Sequence, residues 1–159
     1  MKQRFLLPDE AATGKLAARA AHHLNARAPL VLHLQGDLGA GKTTFARGML
    51  RELGETGPVR SPTYGLMAEY DTPRGRVVHL DLYRLRSAAE LSALGLADHL
   101  PGSLLWLVEW PEKGEGGLMP APDALLRLEV QGAGRHAQIR ALTPAGSQWL
   151  AGICADSGL

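Results

Sequence analysis

The stretch LVLHLQGDLGAGKTTFARGML, residues 30–50, constrains this chain more than any other. Leu30–Gln35 is a short apolar run suited to a strand buried on both faces. A glycine-rich turn follows. Beyond it, Phe45, Met49, Leu50 and Leu53 recur at helical spacing, which predicts a helix over 42–53 that stops at Gly54. Gly36, Gly41, Lys42 and Thr43 satisfy G-x-x-x-x-G-K-[ST] between that strand and that helix, the setting a phosphate-binding loop needs. Glycines let backbone N–H groups curl round an anion, and the helix N-terminus adds partial positive charge. The whole loop, Gly36, Asp37, Leu38, Gly39, Ala40, Gly41, Lys42, Thr43 and Thr44, is therefore expected to line a nucleotide site. Lys42 is expected on the β- and γ-phosphates, Thr43 on Mg²⁺ and Thr44 on the α-phosphate.

A site of this kind needs an acid at the end of a neighbouring buried strand. Asp81 ends VVHLD and Glu109 ends LLWLVE, and both fall where ligands gather, at the carboxyl ends of strands. One is expected to hold the metal and the other to orient the attacking water, but spacing does not assign the roles. His79, inside an apolar strand, reads as a satisfied core histidine, Trp106 as core, and Trp110 as a ring packed near the nucleotide.

The base follows from what is missing. Guanine-specific loops carry N-K-x-D, whereas the one asparagine here, Asn25, precedes Ala26, which favours ATP. Arg84 and Arg86 read as a solvated basic face or a partner contact, with no lid insertion of the kinase type around them. No arginine finger is evident in the loop itself, so hydrolysis by the chain alone is expected to be slow.

Bulk properties close off other classes. With 159 residues, 45% of them hydrophobic, the chain suits one domain spanning 1–159. Its 17 basic and 16 acidic residues nearly cancel, which argues against a protein that grips nucleic acid unaided. Cys154 alone forms neither a disulfide framework nor a multi-cysteine metal site, and reads as a half-buried thiol. The N-terminal residues lack the apolar core of a secretory signal, and no run reaches the roughly 20 apolar residues of a membrane span, so a cytoplasmic address is expected. Thirteen of the basic residues are arginine, a bias that fits a hot habitat or a GC-rich genome.

The remaining elements are read as follows. A helix opens at Pro8-Asp9-Glu10, with Leu16, Ala20, His23 and Leu24 on its inner face, and ends before Pro29. Strands over 65–70 and 76–81 pair across the turn DTPRG. Ser87-Ala88-Ala89-Glu90 caps a helix running to about His99, and Ser103 opens a strand through 110. Residues 125–131 and 136–142 form a hairpin round Gly132-Ala133-Gly134, and a last helix follows Pro144. The fold expected is α/β, a P-loop NTPase-like domain with a mostly parallel or mixed central sheet flanked by helices.

Several motifs together resemble the TsaE (YjeE) family of P-loop ATPases in bacterial tRNA threonylcarbamoyladenosine synthesis. They are PDEAAT at 8–13, GDLGAGKTTFARGML at 36–50, SPTY at 61–64, HLDLYRL at 79–85, LGLADHL at 94–100 and LVEWPEKG at 107–114. Past these, only Gly134-Arg135 is similar. The resemblance implies ATP and Mg²⁺ at residues 36–44, with Thr43 and Glu109 as metal ligands and Asp81 as the Walker B-type acid, acting on water or on the metal. It makes 61–64 a sensor of the γ-phosphate through Thr63, and places Glu10 and Gly134 on the adenine side. It further implies work with the TsaD transferase and its partner TsaB, with tRNA reached through that complex and ATP hydrolysis resetting it. A nucleotide-dependent interaction module and a small-molecule kinase are the alternative readings.

Overall fold

A computed structural model describes residues 1–156. One seven-stranded sheet carries β1 (Lys2–Leu7), β2 (Leu30–Gln35), β3 (Met67–Thr72), β4 (Gly75–Asp81), β5 (Ser103–Glu109), β6 (Ala124–Gln131) and β7 (Gly134–Ala141). Its order is β1-β7-β6-β2-β5-β4-β3. The central four, β6-β2-β5-β4, are parallel, and antiparallel hairpins finish both sides. The sheet is thus mixed, with the phosphate-loop strand β2 near its middle.

Helices α1 (Glu10–His22), α2 (Lys42–Glu52) and α5 (Pro144–Ala155) accompany α3 (Ala88–Ala93) and α4 (Leu96–His99). The parallel strands alternate between two cores, as buried strands must when both faces are covered. Leu32, Leu34, Leu105, Leu107 and Leu126 pack under α1, α2 and α5, while Val31, Val78, Leu80, Trp106 and Val108 pack with Leu91 and Leu96 of α3 and α4. Trp106 is fully buried there, as expected, and its indole N–H donates to Ser103 Oγ at 2.8 Å. Cys154 is half-buried in α5. Among the described residues no helix is long and apolar enough to cross a membrane.

Three expectations need correction. Lys2–Leu7 is a strand, paired antiparallel with β7, where no element was expected. The helix expected from Ser87 to about His99 is two helices, because Gly95 turns left-handed (φ 61°) between them. His23 is not on the inner face of α1: it ends the helix and pairs with Asp156 Oδ2 at 2.5 Å. A fourth reading, His79 as a satisfied core histidine, holds for burial and for one ring nitrogen only.

Candidate nucleotide site

β2 ends and α2 begins across the loop 36–41, and the helix start is built to face an anion. Asp9, Ser87 and Thr143 cap α1, α3 and α5 with side-chain oxygens, whereas α2 starts from Gly41 with no side-chain cap. Its first-turn N–H groups are left for a ligand. Two glycines do different work in the bend. A Cβ on Gly36 would lie 2.6 Å from the Leu128 carbonyl of β6, so the loop base sits where only glycine fits. Gly41 (φ 108°) has room for a side chain but adopts a backbone conformation that L residues avoid.

Lys42, 5% exposed, folds back over the loop. Its ammonium donates to the Gly36 carbonyl and, at 2.9 Å, to that of Asp37, and it lies 4.3 Å from the centre of the Trp110 ring. Burial pushes the Lys42 pKa below its ordinary value, while Glu109 first, then Asp81, Glu112 and Asp37, oppose that shift. Trp110 holds its place through a left-handed backbone (φ 57°) immediately after β5, with Tyr83 packed 4.9 Å away. Such a conformation in a bulky residue needs support from its surroundings.

Asp81 and Glu109 are register partners on β4 and β5, 4% and 2% exposed. Their partners differ. Glu109 Oε1 accepts from Thr43 Oγ1 at 3.0 Å, and its Oε2 accepts from Ser61 Oγ at 3.2 Å and lies 2.6 Å from His79 Nε2. Asp81 Oδ2 accepts from Ser61 Oγ and, at 3.0 Å, from Thr63 Oγ1, while its Oδ1 accepts from the Tyr83 N–H at 3.0 Å. Ser61 thus bridges the two acids, and segment 61–64 is tied to both.

A cleft of about 260 Å³ gathers most of the expected residues: Leu38, Gly39, Gly41, Lys42, Thr43, Thr44, Thr63, Asp81, Glu109 and Trp110. Gly36, Asp37 and Ala40 line an adjoining cleft, also walled by Trp110. Glu10 and Gly134 line neither. Glu10 is exposed in the first turn of α1, and Gly134 packs against the Leu7–Pro8 backbone. Sequence reasoning missed that His79 reaches Glu109 and that Arg135 reaches the loop: Arg135 Nε donates to Ala40 O at 3.0 Å. Neither contact has a local signal, since each joins residues distant in the chain.

A tight Gly-rich loop, an uncapped helix start, a buried lysine and a hydroxyl beside two carboxylates could hold phosphate groups, and Thr43 with the two acids offers oxygens that could hold a hard cation. Among the described residues no group of three or more His, Cys, Asp or Glu forms a metal cage. Mg²⁺ held between protein oxygens and substrate phosphates needs none.

The chain is similar to known proteins along most of its length. The family model described as "Threonylcarbamoyl adenosine biosynthesis protein TsaE" matches residues 7–139. The tRNA threonylcarbamoyladenosine biosynthesis protein TsaE of Haemophilus influenzae is 38% identical, over 88% of this chain and 90% of its own. Its Bacillus subtilis namesake is 35% identical, over 94% and 89%. The crystal structure of YdiB from Bacillus subtilis superposes with a TM-score of 0.77 at 27% identity, covering 99% of this chain and 96% of that one. The chain belongs to the TsaE family of threonylcarbamoyladenosine biosynthesis proteins.

Proposed function

We propose that the chain is a Mg²⁺-dependent ATPase that works in the cytoplasm with the TsaD transferase and TsaB to sustain turnover of tRNA threonylcarbamoyladenosine synthesis. The observation that carries this reading is the convergence of Thr43, Glu109, Asp81, Ser61 and Thr63 in one hydrogen-bonded cluster opposite Lys42. Each member has a task in it. The loop N–H groups and Lys42 bind the phosphates, and Lys42 exchanges the Gly36 and Asp37 carbonyls for phosphate oxygens. Thr43 and Glu109 are the residues to hold Mg²⁺, because Thr43 already donates to that carboxylate. When bound, Mg²⁺ neutralises charge on the phosphate oxygens. Asp81 is left to orient the attacking water and accept its proton, held in place by Ser61, Thr63 and the Tyr83 N–H. Thr63 is the hydroxyl that senses the γ-phosphate. The single asparagine supports adenine over guanine: Asn25 accepts from the Arg27 N–H in its own turn, between α1 and β2.

Two measurements test the proposal. Titration calorimetry with Mg²⁺ is expected to show ATP binding and much weaker GTP binding. Tracing the γ-phosphate of labelled ATP is expected to give inorganic phosphate slowly, and faster once TsaD and TsaB are added. Label on another acceptor would make the chain a kinase. ATP binding without any turnover in the presence of the partners would make it an interaction module.

A further inference from the structure

One side chain grips the phosphate loop from outside the cleft. Arg135 stands at the start of β7, and its guanidinium donates three hydrogen bonds, all to backbone carbonyls. Nε reaches Ala40 O at 3.0 Å, Nη2 reaches Gly39 O at 3.1 Å, and Nη1 reaches its own neighbour Gly134 O at 2.9 Å. Gly39 and Ala40 lie within the loop, 95 and more residues away in the chain. Two further contacts hold the clamp itself in place. A Cβ on Gly134 would lie 2.5 Å from Leu7 O, so the start of β7 is pressed on the end of β1. On the other side the loop base lies against β6, where Gly36 meets Leu128.

The consequence follows from peptide geometry. In a planar trans peptide the C=O and the next N–H point in opposite directions. Drawing the Ala40 carbonyl to Arg135 therefore turns the Gly41 N–H away from the guanidinium. Drawing the Gly39 carbonyl does the same for the Ala40 N–H, which closes the loop by donating to Asp37 O at 3.0 Å. Rotating the Ala40–Gly41 peptide would aim a carbonyl oxygen into the space that the Gly41 N–H faces, and rotating the Gly39–Ala40 peptide would break the closing hydrogen bond and set a carbonyl against Asp37 O. The forked, permanently charged guanidinium suits the task, because its donors are fixed in one plane whereas those of an ammonium rotate freely.

We propose that Arg135 is a positioning residue for phosphate binding, fixing the Gly39–Ala40 segment so that the loop presents N–H groups to a polyphosphate. This rests on the nucleotide reading above.

The experiment uses the full chain as wild type, Arg135→Ala and Arg135→Lys, titrated with inorganic tripolyphosphate and with ADP, without metal. Hydrogen exchange of the unliganded proteins is followed in parallel. Wild type is expected to bind both ligands. Arg135→Ala is expected to bind both roughly ten- to a hundredfold more weakly, the loss of one or two charge-assisted hydrogen bonds. Arg135→Lys should recover part of the loss, and faster exchange should be confined to the loop around 36–42. Wild-type affinity in Arg135→Ala would overturn the inference, as would exchange raised evenly through the sheet. If Arg135→Ala does not fold, Arg135→Lys decides: full affinity with unchanged loop exchange overturns the inference, and weakened affinity with faster loop exchange supports it. Failure of the wild type to bind either ligand, without metal and again with Mg²⁺, would overturn the nucleotide reading itself.

Discussion

His79 Nε2 lies 2.6 Å from Glu109 Oε2 inside the sheet, and the histidine has no exposed surface. Its other ring nitrogen, Nδ1, is buried without a hydrogen-bond partner among the described residues. All of the polar value of this side chain is therefore spent on one carboxylate, the one that also meets Thr43. His79→Leu should leave Glu109 less firmly oriented. The expected result is a fall in ATP turnover of roughly ten- to a hundredfold, as for other residues that orient metal-site ligands, with metal-free ADP affinity little changed. Steady-state phosphate release together with calorimetry separates the two effects.

Ser61 and Thr63 both donate to Asp81 Oδ2, so the segment between α2 and β3 is anchored on the acid assigned to water. Replacing both, Ser61→Ala with Thr63→Val, removes those donors. The protein should still bind ADP, but its preference for a non-hydrolysable ATP analogue over ADP should shrink towards one. Paired Kd measurements report that ratio.

Trp110 sits over the Lys42 ammonium, while Trp106 and Trp149 are buried at 0% and 4% exposure. Nucleotide binding should draw Lys42 off the indole, a cation–π contact of about 0.5–2 kcal/mol. Tryptophan emission should therefore change when ADP is added to the wild type, and the change should vanish in Trp110→Phe.

His33, on β2, is 8% exposed, its Nε2 has no partner among the described residues, and burial lowers its pKa to about 4. The folded state thus takes up the proton less readily than the unfolded chain. Between about pH 6.5 and 4 the unfolded state binds more protons, so stability rises with pH and is lost as pH falls through that window. The loss is on the order of 3 kcal/mol. His33→Leu should move the midpoint of acid unfolding to lower pH, as followed by far-UV circular dichroism.

How much of this was legible in the sequence varied with the reach of the contact. β2, β5 and the phosphate loop were plain because apolar runs and glycines announce them locally. β1 was not: Lys2 and Arg4 alternate with half-buried Phe5, Leu6 is 75% exposed, and the strand is ordered by its edge pairing with β7. The split after α3 turns on the backbone of Gly95, which a capping pattern at Ser87 does not report. Asp81 and Glu109 were both visible as acids ending buried strands, but their separate partners depend on how β4, β5 and segment 61–64 meet. Arg135 was invisible as a loop contact, since β7 reaches the loop only once the sheet is assembled.

The most direct test of the account compares phosphate release from ATP by the wild type and by Glu109→Gln, each with Mg²⁺, TsaD and TsaB, alongside tRNA modification in the same reactions. Glu109→Gln keeps the shape of the side chain and removes its charge. Partner-stimulated release by the wild type is predicted to fall at least a hundredfold in the variant, on the scale of losing one preorganised charge-stabilising group, and repeated rounds of modification should stop with it. Modification at the full wild-type rate by a variant that binds ATP but no longer hydrolyses it would contradict the account.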